Sequence, residues 1–513
     1  MAITLDAIQK NGDIDVQTEH TNPHKYPIEP GKLYINGKFR DSSNGKTFDT
    51  INPTTEEVIT QIPEATKEDT LEAIAAAKEA FGNGPWSKMR GSERAKMLNR
   101  IADLIEGKYA EELAHREVID MGKLYSDVTH IEIPHLANMF RYYAGWTTKL
   151  EGHVKPVEGN SNEHLMVWTR REALGTVAAI TPFNFPLILT VSKIAPALAA
   201  GNCFIHKPSS QTPLSAITIA KIMDEAGMPA GSYNLVIGPG ETVGNVLTQH
   251  PDVDKIAFTG STKVGQSIVQ DSALSMKHTT MELGGKSPNI IFADADMDRA
   301  VNIAFFAMFW NKSEVCVAGT RLLVERSIYN EFADKFIARV KQAKVGDPFD
   351  LTSSYGPMSS KGAWQKTLDY IETGKKDGAT LATGGNAITV NGKGYFIEPT
   401  VFLNATNEMR IAREEIFGPV LPVIPFTDFD EAIRIANDSS YGLASGVQTR
   451  DLKKAIRASE LIKAGTVWTN TWHHYSPGAP FGGYKLSGFG REHGIESFES
   501  YMQYKTVWTD LYE

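Results

Sequence analysis

The stretch TVAAITPFNFP, residues 176–186, settles the architecture of this chain. Five small or apolar residues read as a buried strand, and the run then breaks into Pro182, Asn184 and Pro186, which a central strand does not accommodate. Four more short apolar runs follow, with helical stretches between them: CFIHK (203–207), NLVIG (234–238), KIAFTG (255–260) and HTTMEL (278–283). Strands alternating with helices predict an α/β fold built on an open, mostly parallel sheet. Ligands of such sheets sit in the crevice outside the carboxyl ends of the strands. The junctions on that edge are PFNFP, KPSS (207–210), GPGE (238–241), TGSTKVG (259–265) and Glu282 with LGGKSP (283–288). Five unusual junctions on one edge argue against coincidence.

A second alternation begins after Lys286. PNIIF, TRLLV, VLPVIPF, ASGVQT and TVWTN read as strands, with helices near residues 305, 330, 365, 433 and 456, which predicts a second α/β domain. Upstream, KEDTLEAIAAAKEAF places Leu71, Ile74, Ala77 and Phe81 on one helical face behind a Thr66 cap, and a second helix starts near Ser92. A chain of 513 residues exceeds one hydrophobic core. Its net charge of -9, without a Lys or Arg stripe, excludes nucleic acid as the expected partner and favours a small molecule. The polar first 30 residues read as a leader without a secretory signal. The charge-free run at 175–191 is interrupted by two prolines and Asn184, so it reads as core and not as a membrane span. Two cysteines exclude a disulfide framework and point to the cytoplasm.

Those two cysteines have different surroundings. Cys203 lies inside an apolar strand and fits structural filler. Cys316, in FWNKSEVCVAGTR (309–321), follows Lys312, Ser313 and Glu314 and precedes Ala318 and Gly319, too polar and small a setting for a core strand. It fits a nucleophile, but a free thiol is only roughly 3% thiolate at pH 7, so that role needs a lowered pKa or a base. Asn184, ahead of Pro186, can aim its amide into the crevice as an oxyanion donor or can simply satisfy a turn. Glu282 is either a general base or a solvated strand end. Lys207, Ser209 and Ser210 stand where dinucleotide folds put an acid on the ribose, and a Lys with two hydroxyls suits a 2′-phosphate. GSTKVG (260–265) and GPGETVG offer backbone N–H groups but match neither a P-loop nor GxGxxG. No metal pattern is present: His473 and His474 would point apart, Glu112 and His115 read as surface, and Pro134 separates Glu132 from His135.

Taken together, PFNFP, KPSS, FTGSTKVG, MELGGKSPNII, CVAGTR, EEIFGPV (414–420) and PFGGYKLSGFGRE (480–492) resemble, in order, the motif series of the aldehyde dehydrogenase superfamily. The resemblance implies a leader (1–30), a dinucleotide-binding domain (31–150 and 173–285), a catalytic domain (286–484) and a small β oligomerisation element (151–172 and 485–513), assembled as a homodimer or homotetramer. It implies NAD or NADP and no metal. Cys316 would attack the aldehyde, Asn184 hold the oxyanion and Glu282 activate water to hydrolyse the thioester. Thr181, Pro182, Lys207, Ser209, Ser210, Gly240, Gly244, Gly260, Ser261, Leu283, Glu415 and Phe417 would hold the cofactor. Phe185, Ser192, Val315, Val317, Trp472, Tyr475 and Phe481 would shape the substrate tunnel.

Three departures from the family pattern shape the expectation. Ser210 replaces a frequent acid, which resembles members that accept NADP. Glu314 replaces a frequent Gln and would raise the thiol pKa unless Lys312 or solvent offsets it. Ser192 replaces a frequent aromatic residue and would open one wall. The apolar tunnel suggests medium or bulky aliphatic or aromatic aldehydes, with betaine aldehyde or another amino-aldehyde as the alternative on the strength of NTW (470–472). Glu282 argues against transfer to coenzyme A, and retention of Cys316, Asn184 and Glu282 together argues against a non-catalytic structural relative.

Overall fold

The computed structural model describes residues 25–158 and 164–512. Most of the expected leader lies outside these residues. From Lys25 onward the chain already packs on the body, with Lys25 and Tyr26 both donating to Glu111.

Eight strands form the first sheet, in the order Lys38–Arg40, Leu33–Ile35, Tyr233–Leu235, Cys203–Lys207, Thr176–Ile180, Lys255–Thr259, His278–Glu282 and Gly488–Phe489. The five central strands are mutually parallel, and each edge carries antiparallel strands. Cys203–Lys207 and Lys255–Thr259 are buried along their whole length, as a sheet covered on both faces requires. The covering helices start and stop on local signals. Lys67–Gly82 begins with a capping box between Thr66 and Asp69. Pro186–Ala200 starts on its proline and ends at Gly201, whose φ of 97° suits the left-handed cap. Asn184 is therefore fixed between a strand end and a helix start.

The second sheet runs Thr380–Thr383, Thr400–Leu403, Val420–Phe426, Arg321–Glu325, Pro288–Ile291, Ala444–Gln448 and Thr466–Thr469, parallel except at its first pair. A third sheet pairs Met502–Asp510 with Leu165–Ala173 over nine antiparallel positions and adds Val154–Lys155. The expected oligomerisation segment does more than this. Its residues Gly488–Phe489 complete the first sheet against Met281 and Glu282, because Gly488, at φ 113°, lets the backbones meet where a Cβ would sit 1.9 Å from the Met281 carbonyl.

Two local expectations fail. His115 is buried against Tyr26, Tyr125 and Phe349 instead of lying at the surface, because Lys25–Glu29 and the 349 turn cover its helix. Pro134 does not break its helix, because it occupies the first turn of Ile133–Ala144, where no N–H is needed, behind the π-turn Val128–Glu132.

Arg321 fixes the second sheet to its helices. Its buried guanidinium donates to the carbonyls of Lys286, Ile435 and Ala436 and to Asn407 Oδ1, closing the end of the helix Phe429–Asn437. Arg321→Met should take a donor from four acceptors, of which the Ile435 carbonyl alone keeps a bond, from the Asp438 N–H, and lower stability by about 3 kcal/mol, read by chemical denaturation. An unchanged midpoint would contradict this.

Candidate functional site

The helix Met297–Phe309, capped by Asp296, delivers the chain to a tight turn in which Asn311, Lys312 and Ser313 take φ of 46°, 49° and 66°. Each such residue costs on the order of 1–3 kcal/mol and persists only where its surroundings enforce it. Here they do. Asn311 Nδ2 donates to the Asn184 carbonyl at 3.1 Å, Lys312 Nζ to the Met121 carbonyl at 2.8 Å, and Trp310 Nε1 to Asp127 at 3.0 Å. Glu314 is fully buried, and its carboxylate accepts from the Ser359 N–H and Oγ with Lys312 Nζ 3.6 Å away. Burial raises the Glu314 pKa while Lys312 and Ser359 oppose the rise, so Lys312 stands as the offset that the sequence reading allowed for.

Cys316 emerges from this turn partly exposed, where two cavities meet. Burial pushes its thiol up to about 12, the carboxylates of Glu282, Glu415 and Glu492 add to the rise, and the Val317 N–H opposes it. Asn184 Nδ2 donates to the Glu314 carbonyl at 2.9 Å, so the amide lies beside the Cys316 backbone. Glu282, at the end of its strand, is buried with both carboxylate oxygens unpaired among the described residues. Burial first and then Glu492 raise its pKa well above the usual carboxylate range, with Lys193 and Arg491 opposing. Glu492 forms a buried ion pair with Lys193 and accepts from Ser192 Oγ at 2.8 Å, and Lys193 also donates to Thr259 Oγ1. Glu282, Glu492 and Lys193 therefore form one group of interacting charges near the thiol.

One cavity, about 1090 Å³ with its open mouth, lies at the carboxyl edge of the first sheet. Pro182, Gly260, Ser261, Leu283, Glu415 and Phe417 line it, together with Asn184 and Lys366. Glu415 accepts from the Gly285 N–H at 3.0 Å, and a Cβ on Gly284 would lie 2.3 Å from the Glu415 carboxylate. Ser261 caps the helix Thr262–Ala273, turning N–H groups toward the opening. Five expected cofactor residues and Thr181 lie outside this cavity. Thr181 faces His206 beneath the crevice, Lys207 donates to the Pro208 carbonyl, Ser209 accepts from the Gln211 N–H and Ser210 donates to the Gly238 carbonyl. Gly240 and Gly244 lie on a turn where an added Cβ would meet no protein atom within 4 Å, so packing inside the chain does not demand either glycine.

The other cavity, about 600 Å³ with its open mouth, is apolar and aromatic. Phe185, Val315, Tyr475 and Phe481 line it as expected from the sequence, and Cys316 stands at its end. Ser192, Val317 and Trp472 do not line it. Ser192 turns its hydroxyl to Glu492, so no opening forms there. Trp472 packs across Gly319 and Gly446 and donates to the Val317 carbonyl, so both residues belong to the core beneath Cys316. Sequence reasoning missed His135, Ile188, Leu189, Trp310, Glu492 and His493 on this wall, and Lys193 behind it. Lys193 carried a signal, since a Lys within an apolar helix must find a buried acid. The two histidines carried none, being distant in sequence.

The chain matches the aldehyde dehydrogenase family profile over residues 39–507. It is 47% identical over 497 residues, 97% of this chain and 89% of the other, to the mitochondrial aldehyde dehydrogenase family 2 member B4 of Arabidopsis thaliana. It is 46% identical to the mitochondrial benzaldehyde dehydrogenase of Antirrhinum majus, covering 94% of this chain and 91% of that one. Among solved structures, betaine aldehyde dehydrogenase of Staphylococcus aureus in complex with NAD+ superposes with a TM-score of 0.92 at 40% identity, covering 96% and 97% of the two chains. With nearly its whole length inside that profile and its fold shared, the chain belongs to the aldehyde dehydrogenase family.

Proposed function

We infer that this chain oxidises a medium or bulky aliphatic or aromatic aldehyde to its carboxylic acid through a thiohemiacetal and a thioester on Cys316. The observation that carries this is the place of that sulfur, where a glycine-edged cavity at the sheet crevice meets an apolar one. The Cys316 thiol starts protonated, so its proton must pass to water in the open cavity before Sγ can add to the carbonyl carbon. The oxygen of the adduct then takes negative charge, and Asn184 Nδ2 and the Cys316 N–H are the donors beside it. A side-chain donor of this kind supplies about 3 kcal/mol of transition-state stabilisation.

NAD or NADP, when bound, supplies the acceptor for the hydride that leaves the adduct carbon. The residues present suit such a group. Ser261 and its helix start present N–H groups, Glu415 and Phe417 edge the inner cavity, and Gly240 and Gly244 keep space that side chains would fill. Glu282 then takes a proton from water, and the hydroxide adds to the thioester carbon and expels the Cys316 thiolate. Because burial favours its neutral form, Glu282 becomes a competent base as pH rises, and turnover should gain on the alkaline side. Ser210 leaves no carboxylate at the expected adenosine ribose position, which supports use of NADP beside NAD. Betaine aldehyde is the second substrate reading, favoured by the aromatic lining and by the Staphylococcus aureus relative.

A homodimer or homotetramer fits the one-sided edge strand Met502–Asp510, with Tyr504 and Trp508 exposed, and the bare Leu274 and Met276. A monomer in light scattering would overturn that part. Among the described residues no helix is long and apolar enough to cross a membrane and no His, Cys, Asp or Glu cluster could hold a metal. The free Cys203 and Cys316 support a cytoplasmic site, which cell fractionation tests.

Cys316→Ser should abolish aldehyde oxidation with the fold intact by circular dichroism. Glu282→Gln should still release one equivalent of reduced cofactor and then stall, with the acyl group on Cys316 visible by intact mass. Full turnover by either variant would reject the mechanism. In the ligand-free protein, a thiol near 12 is about one part in ten thousand thiolate at pH 8, so alkylation of Cys316 should climb about tenfold per pH unit from 7 to 9. A plateau by pH 8 would contradict this. Finally, kcat/KM for NADP should come within about tenfold of that for NAD, and Ser210→Glu should lower the NADP value selectively by charge repulsion. Strict NAD use by the unaltered protein would reject that part.

A further inference from the structure

We propose that the apolar cavity takes an aryl aldehyde carrying a ring hydroxyl, with that hydroxyl held between His135 and His493. This rests on the reading of Cys316 as the nucleophile and goes on to name the substrate class. His135 comes from the helix Ile133–Ala144 and His493 from the segment after Glu492, yet both line the cavity that ends at Cys316. Their ring centroids are 5.8 Å apart, and Phe481 lies 6.2 Å from His493.

Two observations make the pair a site and not filler. Neither imidazole has a hydrogen-bond partner among the described residues, although His493 is only 5% exposed. His493 is buried and His135 half-buried, and both line the cavity, where a polar group without a protein partner is open to a ligand. His493 also sits at φ 59° and ψ 174°, a region that residues other than glycine rarely enter. Its neighbours impose that backbone: Glu492 exchanges two 2.7 Å hydrogen bonds with Phe481, and the Gly494 N–H donates to the Pro477 carbonyl. The strained backbone thus fixes the His493 side chain on the cavity wall.

The chemistry of the pair selects the ligand. Burial first lowers the pKa of His135 to about 3 and of His493 to about 4, His493 adding for the former and Lys193 for the latter, so both rings are neutral at pH 7. A neutral imidazole offers one donor and one acceptor. A hydroxyl, which donates and accepts, satisfies two such rings at once; a carboxylate would find no free cation, since Lys193 is paired with Glu492. A quaternary ammonium fares worse, because Lys123 Nζ already stands 4.2 Å over the Phe185 ring, on a wall the ligand would share. Phe185 with Trp310, and Tyr475 with Phe481, at 5.1 and 5.9 Å between centroids, suit a flat ring.

The test compares kcat/KM for benzaldehyde, 4-methylbenzaldehyde, 3- and 4-hydroxybenzaldehyde and betaine aldehyde, with NAD, in the full-length protein and in His135→Met and His493→Leu. In the unaltered protein the better hydroxybenzaldehyde should exceed the methyl analogue by about tenfold or more, through KM rather than kcat. Either substitution should bring that ratio to about threefold or less. A ratio near one in the unaltered protein, a ratio unmoved by both substitutions, or betaine aldehyde as the best substrate would each overturn the proposal. The comparison in the unaltered protein stands even if a variant fails to fold. If neither these aldehydes nor an aliphatic one such as hexanal is oxidised, the underlying assignment of Cys316 falls; if hexanal or benzaldehyde is oxidised without a hydroxyl preference among the aryl aldehydes, only this proposal does.

Discussion

One hydrogen bond joins the two halves of the site: Asn184 Nδ2 donates to the Glu314 carbonyl at 2.9 Å. Asn184 belongs to the first sheet, held between the strand Thr176–Ile180 and the helix Pro186–Ala200, whereas Glu314 belongs to the loop that enters the second. The Asn184 carbonyl accepts in turn from Asn311, so the contact is reciprocal and sets the loop in one register. Together with the Lys312 and Trp310 bonds it holds three consecutive residues at positive φ and keeps the sulfur between the cavities. Gly285 shows how close the tolerance is, since a Cβ there would lie 2.4 Å from the Cys316 carbonyl.

The loop also rests on buried charge. Lys123 joins Glu117 at 3.1 Å and Glu132 at 2.6 Å, and Lys312 faces Glu314, all almost without solvent. Such groups are costly to bury, and removing one partner leaves an uncompensated charge, typically a loss of about 3–5 kcal/mol. They do not make the chain more stable than an apolar core would. Their effect is directional, because each ion must point at its partner, and Lys123 in doing so places a cation behind the Phe185 wall of the tunnel.

Much of this was legible in the sequence. The five central strands follow from short apolar runs, and the crevice residues from the abrupt change in composition at their ends. Cys316 stood out because polar neighbours precede it in an otherwise apolar region. Most of the errors share one cause: a local pattern cannot report what another segment covers. His115 is buried by residues near 26 and 349, Ser192 is turned aside by Glu492 from 300 positions away, and Trp472 fills the space above two glycines. Local periodicity carries no information about such partners. Pro134 misled for a different reason, since its effect depends on whether it falls in the first turn or later.

Under the proposed mechanism, reaction and selectivity fall to different parts of the fold. Asn184, Glu282 and Cys316 sit at strand ends or in a loop held by backbone hydrogen bonds, so their placement depends on the sheets themselves. The tunnel wall is assembled from the helix Ile133–Ala144, the helix Pro186–Ala200, the turn at Trp310 and the segment from Tyr475 to His493. Several of those side chains, His135 among them, point into the cavity without anchoring either sheet. Substitution there changes what reaches the sulfur while leaving the strands and the Asn184 contact in place. A shared fold at 40% identity therefore conveys the chemistry more securely than the substrate, which is set by a few side chains from segments far apart in the chain.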